Sequence, residues 1–276
     1  SSAWQQIHFA AMNTEVSAWW YGDGATEPQM IEALFRGYEH VLSRFDPSSD
    51  LSQLNRSELG LSPVSTPLYG ALQAALWAAG VTGGLYDPTL LAELEQAGYD
   101  RSFDLVVERA QFQWPVAAPK PAAGSSSAAG RPWDWRSVQL EAEPPAVRRP
   151  RGLRFDLGGM GKGWTVDRTA DLLHGQGPFL VNAGGDLYAG GRPDGVQGWR
   201  VEIEHPLRPE ETIASVQLHD AALATSTITK RCWRQEGDIR HHLIDPRSGQ
   251  PAQTDALSVS VIAQRTLIAE VHAKAA

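Results

Sequence analysis

The segment Leu153-Arg154-Phe155-Asp156-Leu157-Gly158-Gly159-Met160-Gly161-Lys162-Gly163-Trp164-Thr165-Val166-Asp167 constrains this chain more than any other stretch. It reads as a β-strand, then a loop with four glycines and one lysine, then the first turns of a helix. Glycine has no Cβ, so backbone N–H groups in such a loop turn toward an anion without steric cost, and a helix N-terminus adds partial positive charge. Lys162 contributes a mobile full charge. The combination suits a phosphate group, and equally a tight strand-to-helix turn. Neither common nucleotide fingerprint is met. A P-loop needs Ser or Thr after the lysine, where Gly163 stands, and glycines at 159, 161 and 163 do not give the G-x-G-x-x-G spacing.

Three further segments carry candidate chemistry. Val181-Asn182-Ala183-Gly184-Gly185-Asp186 lies between two apolar runs and reads as a hairpin turn or a ligand loop. Ala224-Thr225-Ser226-Thr227 follows a strand and is small and hydroxyl-rich, which suits backbone approach to a ligand or any turn. His241-His242-Leu243-Ile244 leads into Asp245-Pro246-Arg247-Ser248-Gly249, a strong turn signal. Its histidines are ligand contacts or polar strand residues, and Asp245 suits an Asx turn.

Around these segments the chain reads as mixed α and β. A strand is expected over Ile7–Trp20, with Met12-Asn13-Thr14 inside it, and an amphipathic helix over Pro28–Leu42 from Ile31, Leu34, Phe35, Tyr38 and Leu42. A polar turn, Phe45 to Asp50, precedes Leu51-Ser52-Gln53-Leu54-Asn55. Helices follow at Leu68–Gly80 and Trp164–His174, with a short one near Thr266. Strand-like stretches lie around Phe179–Ala189, Trp199–Glu204, Ala214–Leu218, His241–Ile244 and Leu257–Ile262. Strands joined by short turns with a few helices predict an α+β fold with largely antiparallel sheets. Residues 115–132 are almost wholly Ala, Pro, Gly and Ser, and cannot bury enough surface to offset their ordering entropy. They are expected to form a flexible insertion in a single domain spanning 1–276. The tryptophans at its edges, Trp114, Trp133 and Trp135, are expected to pack it onto the body.

At 276 residues with 42% apolar content, the chain can bury one large core or two interlocked ones. A formal charge of -8 argues against a nucleic-acid binder, and one cysteine, Cys232, excludes a disulfide framework or a Cys-rich zinc site. No apolar run approaches the roughly 20 residues of a membrane-spanning helix. Ser1–Ala10 lacks the basic start and apolar stretch of a secretory signal, which favours the cytoplasm. A first residue other than Met is also what trimming leaves, so an extracytoplasmic place stays open.

Taken in order, these segments resemble the FAD:protein FMN transferase family, the ApbE flavin transferases. The matching landmarks are Met12-Asn13-Thr14, Phe45-Asp46-Pro47 through Asn55, Gly83-Gly84-Leu85-Tyr86-Asp87-Pro88-Thr89 and Asp156 to Gly163. The match continues through Val181 to Asp186, Ala224-Thr225-Ser226 and His242 to Gly249. It covers nearly the whole chain outside the insertion. The resemblance implies an ApbE-like α+β fold of two intertwined subdomains with FAD in the cleft between them. It implies transfer of FMN to a Ser or Thr of an acceptor flavoprotein, with AMP leaving and magnesium assisting. It also implies that Lys162 and Gly158-Gly159-Met160-Gly161 lie against the nucleotide, with His242 in the same cleft. Lys162 and His242 are the candidate catalytic residues. Met12, Asn55, Asp87, Asp186 and Thr225 match positions near the ligand.

The resemblance also exposes a departure. In the family pattern the metal takes a backbone carbonyl of the glycine loop, here Gly161, and an Asp and a Thr four residues apart on a C-terminal helix. Here Glu270 and Lys274 stand at those two positions. Glutamate can ligate magnesium, but an ammonium has no lone pair. The two form a helix ion pair, or Lys274 substitutes for part of the metal charge. An FAD-binding protein without transfer, and a pyrophosphatase yielding FMN and AMP, remain the alternatives.

Overall fold

The computed structural model describes residues 2–22, 24–103, 106, 131–235 and 238–276. Trp114 and residues 115–130 of the expected insertion lie outside the described residues. The segment read as one strand through Met12 is a hairpin: β1 (Ala3–Ala11) and β2 (Thr14–Gly22) pair antiparallel. Its turn places Met12 at φ 53 and Asn13 at φ 55, so both carry positive φ, as a two-residue hairpin turn demands. Without a glycine in the turn, the reversal is poorly marked in the sequence.

These two strands begin the main sheet. It continues with β6 (Phe179–Ala183), β7 (Asp186–Gly190), β10 (Ala221–Thr227) and β15 (Ser258–Ala263), in the order β1-β2-β6-β7-β10-β15. Every pairing in it is antiparallel. Strand alternation divides its residues between two faces. Val16, Ala18, Trp20, Phe179, Val181 and Ala183 form one core with Ile31 and Phe35 of helix α1 (Pro28–Leu42) and Val166, Ala170 and Leu173 of α5 (Gly161–Leu173). Helix α6 (Thr266–Ala275) packs on the same face through Ala269, against Ala222 and Ala224. The opposite face, carrying Ser17, Trp19, Leu180, Asn182, Leu223 and Thr225, looks into a large cleft.

The second core gathers around α3 (Thr66–Val81), whose Leu68, Ala71, Leu72, Ala75 and Ala78 are buried with Leu51 and Leu54 of α2 (Asp50–Arg56). Both helices are capped by serine: Ser49 Oγ accepts from Ser52 N at 3.0 Å and Ser65 Oγ from Leu68 N at 3.3 Å. A small sheet, β3 (Leu61–Pro63), β5 (Pro145–Arg148) and β4 (Gln139–Ala142), closes this core, and Trp133 and Trp135 pack against it. Helix α4 (Leu91–Gln96) and the two-stranded ribbons β8 (Trp199–His205)–β9 (Arg208–Leu218), β11 (Cys232–Gln235)–β12 (Asp238–His241) and β13 (Ile244–Asp245)–β14 (Gln250–Pro251) complete the fold, and α4, β8 and β13 reach the cleft through Leu94, residues 200–205 and Ile244. Cys232 is buried, and burial pushes its thiol up to about 11.

Residues 153–157, expected as a strand, pair in no sheet. Side chains replace the missing neighbour. Asn55 donates through Nδ2 to Phe155 O and accepts from Phe155 N, each at 2.8 Å. Arg149 donates to Leu153 O, and Asp156 N donates to Pro88 O at 2.9 Å. Hydrogen bonds with Asn55, Arg149 and Pro88 thus satisfy the backbone without a ladder.

Candidate functional site

The cleft measures ≈ 1490 Å³ and receives residues from both cores. Met12, Asp87, Gly158, Gly159, Gly161, Lys162, Thr225, His242, Glu270 and Lys274 line it. Lys162 and His242, distant in sequence, share this one cavity. Three expected ligand residues stand behind its wall. Asn55 braces Phe155, Met160 is fully buried in the second core, and Asp186 is buried beneath Lys162.

The glycine loop differs from its expected use. None of Gly158, Gly159, Gly161 and Gly163 has positive φ. Close approach explains Gly163 instead. A Cβ on Gly163 would lie 2.7 Å from Glu270 Oε2 and 2.9 Å from Thr266 O, so only glycine lets α5 and α6 meet here. Several loop N–H groups already have protein acceptors: Gly158 N on Asp156 Oδ1 at 3.0 Å, Gly161 N on Leu157 O at 2.9 Å, and Gly163 N on Glu270 Oε2 at 2.8 Å. Positive charge at this end of the cleft therefore comes chiefly from side chains.

Those side chains form a buried cluster. Lys162 Nζ contacts Asp186 Oδ2 and lies 3.3 Å from Glu270 Oε1, and Lys274 Nζ lies 3.2 Å from the same oxygen. The carboxylates are deeply buried, with Asp186 2% and Glu270 1% exposed, whereas Lys162 and Lys274 keep 17% and 16%. Burial alone would depress the Lys162 ammonium, but Asp186 and Glu270 outweigh it and hold its pKa at about 12. Burial pushes the Glu270 carboxyl up, yet Lys162, Lys274 and the Gly163 N–H leave it below its ordinary value. Burial and the nearby Glu270 charge leave the Asp186 carboxyl raised despite Lys162.

His242 faces the cleft uncharged. Burial first, then Arg231, Lys274 and His241, drives its pKa well below the ordinary 6.5. Its Nδ1 lies 3.4 Å from Arg231 O. A carbonyl only accepts, so that nitrogen carries the proton and Nε2 keeps a lone pair. Thr225 Oγ1 pairs with Ser260 Oγ at 2.8 Å, and Met12 N donates to Glu39 Oε1 at 2.6 Å. Asp87 is fully engaged: Oδ1 accepts from Thr89 N at 2.9 Å and Thr89 Oγ1 at 2.6 Å, and Oδ2 pairs with Arg131 at 2.7 Å. Gly184 and Gly185, both at positive φ, form the β6–β7 hairpin turn and also line the cleft. Asp245 makes the expected Asx turn, accepting from Arg247 N at 2.9 Å.

Sequence reasoning missed Arg231 and Arg44, which line the cleft. Arg44 pairs with Asp156 at 2.5 Å and lies over the rings of Phe45 and Tyr99, at 4.1 and 4.6 Å. Asp156 and Tyr99 are remote from it in sequence, so no local spacing reveals those two contacts.

The oxygen donors expected for magnesium do not assemble into a cation site. Gly161 O accepts from Thr165 Oγ1 at 2.8 Å, both Glu270 oxygens already accept N–H groups, and the third position is the Lys274 ammonium. Magnesium demands near-octahedral oxygen ligation. Among the described residues no group of three or more His, Cys, Asp or Glu side chains is placed to hold a metal ion.

The family model described as the ApbE family matches residues 12–276. The chain is 32% identical over 266 residues to the FAD:protein FMN transferase of Treponema pallidum, covering 89% of this chain and 69% of that protein. It is 29% identical over 237 residues to the FAD:protein FMN transferase of Salmonella typhimurium, covering 83% of this chain and 64% of that protein. It thus spans roughly two thirds of the length of these relatives. The fold matches the crystal structure of the ApbE protein from Thermotoga maritima with a TM-score of 0.81 at 24% identity, over 99% of this chain and 86% of that one. Ordered motifs, an antiparallel α+β frame around one cleft, and these likenesses agree: the chain belongs to the ApbE family.

Proposed function

We propose that this chain is an FAD:protein FMN transferase, taking FAD as substrate and moving FMN onto a Ser or Thr hydroxyl of an acceptor flavoprotein. The observation that carries the reading is the convergence of Lys162 and His242 on one cleft in a member of this family. A volume of ≈ 1490 Å³ exceeds the roughly 300–1,000 Å³ of ordinary small-molecule sites, which leaves room for an acceptor segment beside a dinucleotide.

In the transfer, the acceptor hydroxyl oxygen bonds to the FMN-side phosphorus. The bond from that phosphorus to the bridging oxygen breaks, and AMP leaves with the bridging oxygen. The pyrophosphate is doubly negative, so the approach of a nucleophile needs charge neutralisation. Lys162, held cationic by Asp186 and Glu270, supplies it. His242, kept neutral by its surroundings, takes the hydroxyl proton on Nε2. Thr225 and the Gly158–Gly161 loop shape the wall, and Met12 lies at the hairpin turn lining the cleft. Gly161 and Glu270, the expected metal donors, act here through hydrogen bonds that hold the loop and the lysines.

The test is to incubate the chain with FAD and acceptor proteins bearing an exposed Thr, following the acceptor by mass spectrometry and AMP by chromatography. An FMN adduct with matching AMP is expected. Free FMN and AMP without an acceptor adduct would make the enzyme a pyrophosphatase. FAD binding without either product would leave a binder only.

A further inference from the structure

We infer that Lys274 takes the place of a divalent cation in this chain: its ammonium, with that of Lys162, receives the FAD pyrophosphate, so the dinucleotide binds without added metal. The inference rests on the FAD reading above.

Three features support it. The first is spare donor capacity. An ammonium has three N–H groups. Among the described residues Lys274 Nζ meets one acceptor, Glu270 Oε1 at 3.2 Å, and Lys162 Nζ meets two, Asp186 and Glu270. Three N–H vectors therefore remain on two lysines that both line the cleft.

The second is positioning. Lys274 stands one turn after Glu270 on α6, and the carboxylate tethers it. Its stem runs along Gly159, where a Cβ would meet Lys274 Cδ and Cε at 3.6 Å and the Tyr86 ring at 3.1 Å. The lysine stem thus lies in ordinary packing distance of the loop, and the close neighbour that glycine at 159 accommodates is the Tyr86 ring.

The third is charge balance. Lys162 and Lys274 oppose Asp186 and Glu270 in a cluster that is neutral before any ligand arrives. Arg231, on the same cleft, adds positive charge near Lys162 and His242. A divalent ion inserted beside Glu270 would face two ammonium groups at close range and lose the Lys274 position as a ligand. A pyrophosphate, by contrast, meets a surplus of donors.

The experiment is titration of FAD into the wild-type chain and Lys274→Met, followed by flavin fluorescence, each in EDTA and in millimolar magnesium. The wild-type Kd should agree within about twofold between the two buffers. Lys274→Met, which keeps the stem and removes the charge, should weaken binding by about tenfold or more in both, the range of a lost charge-assisted hydrogen bond. A wild-type chain that binds FAD only with magnesium overturns the inference and leaves the FAD reading standing. Unchanged affinity in Lys274→Met overturns the role of that lysine. No FAD binding by the wild type in either buffer overturns the FAD reading, and the inference with it.

Discussion

Two buried ionic networks border the cleft, and they are built differently. In one, all three nitrogens of the Arg131 guanidinium are committed to protein acceptors: it bonds Asp87 Oδ2 at 2.7 Å, Thr89 O at 2.8 Å, Thr89 Oγ1 at 2.7 Å and Glu93 at 3.0 Å. In the other, Lys162 and Lys274 share Glu270, Lys162 alone adds Asp186, and both lysines keep donors toward the cavity. The contrast follows from chemistry. A planar guanidinium forks onto several acceptors at once and fixes geometry, whereas an ammonium is a point charge with rotatable donors. The arginine network is a staple tying the chain that follows the insertion to the loop before α4. The lysine network, on the proposal above, is the receptor. A residue can line a cleft with both carboxylate oxygens engaged by protein partners, and Asp87 is the example.

The comparison yields tests of graded size. Glu270→Ala removes the carboxylate common to both lysines and the acceptor of Gly163 N, so it should lower stability by about 3–5 kcal/mol, the cost of breaking a buried pair. Urea denaturation measures this, and a loss below about 1 kcal/mol would mean the cluster is not a unit. Lys162→Met should weaken FAD binding by roughly 10- to 100-fold, read by equilibrium titration. Arg131→Met should cost about 1.5–3 kcal/mol of stability while FAD affinity stays within about twofold. If it instead abolished FAD binding with stability intact, the division between staple and receptor would fail.

The smallest effect is a pH dependence. The folded state holds the His242 pKa below the ordinary 6.5, so the unfolded chain binds that proton more readily. Its contribution is therefore complete above about pH 6.5 and is lost as pH falls below it. His241, also lowered mainly by burial, acts in the same direction. His242→Gln should flatten the decline of the unfolding midpoint between pH 7 and 5. If His242 is the base, the acid limb of the transfer rate in the wild type also lies below 6.5, and a limb above that value would remove it from the role.

Much of this was legible in the sequence because it is local. Helix α1 has the expected bounds, 28–42, since Pro28 at its start and the apolar spacing of Ile31, Phe35 and Leu42 are short-range signals. The Asx turn at Asp245 and the hairpin at Gly184-Gly185 are equally local. The convergence of Lys162, Glu270, Lys274 and His242 was reached only through family resemblance, because no spacing rule joins residues so far apart. What could not be read is long-range substitution. Asn55 acts as a strand neighbour for Phe155, and Gly163 is glycine because a carboxylate from α6 touches it. Neither has a signature along the chain. The glycine loop suited an N–H cradle on paper, and folding used several of those N–H groups internally.

The measurement that bears most directly on the central claim is a crystal structure of the chain with FAD bound. The pyrophosphate oxygens should lie within about 3.2 Å of Lys162 Nζ, between the glycine loop and His242. A dinucleotide whose phosphates rest instead against Arg36 and His40 of α1, which also line the cleft, with the lysine cluster still closed on its own carboxylates, would contradict the account.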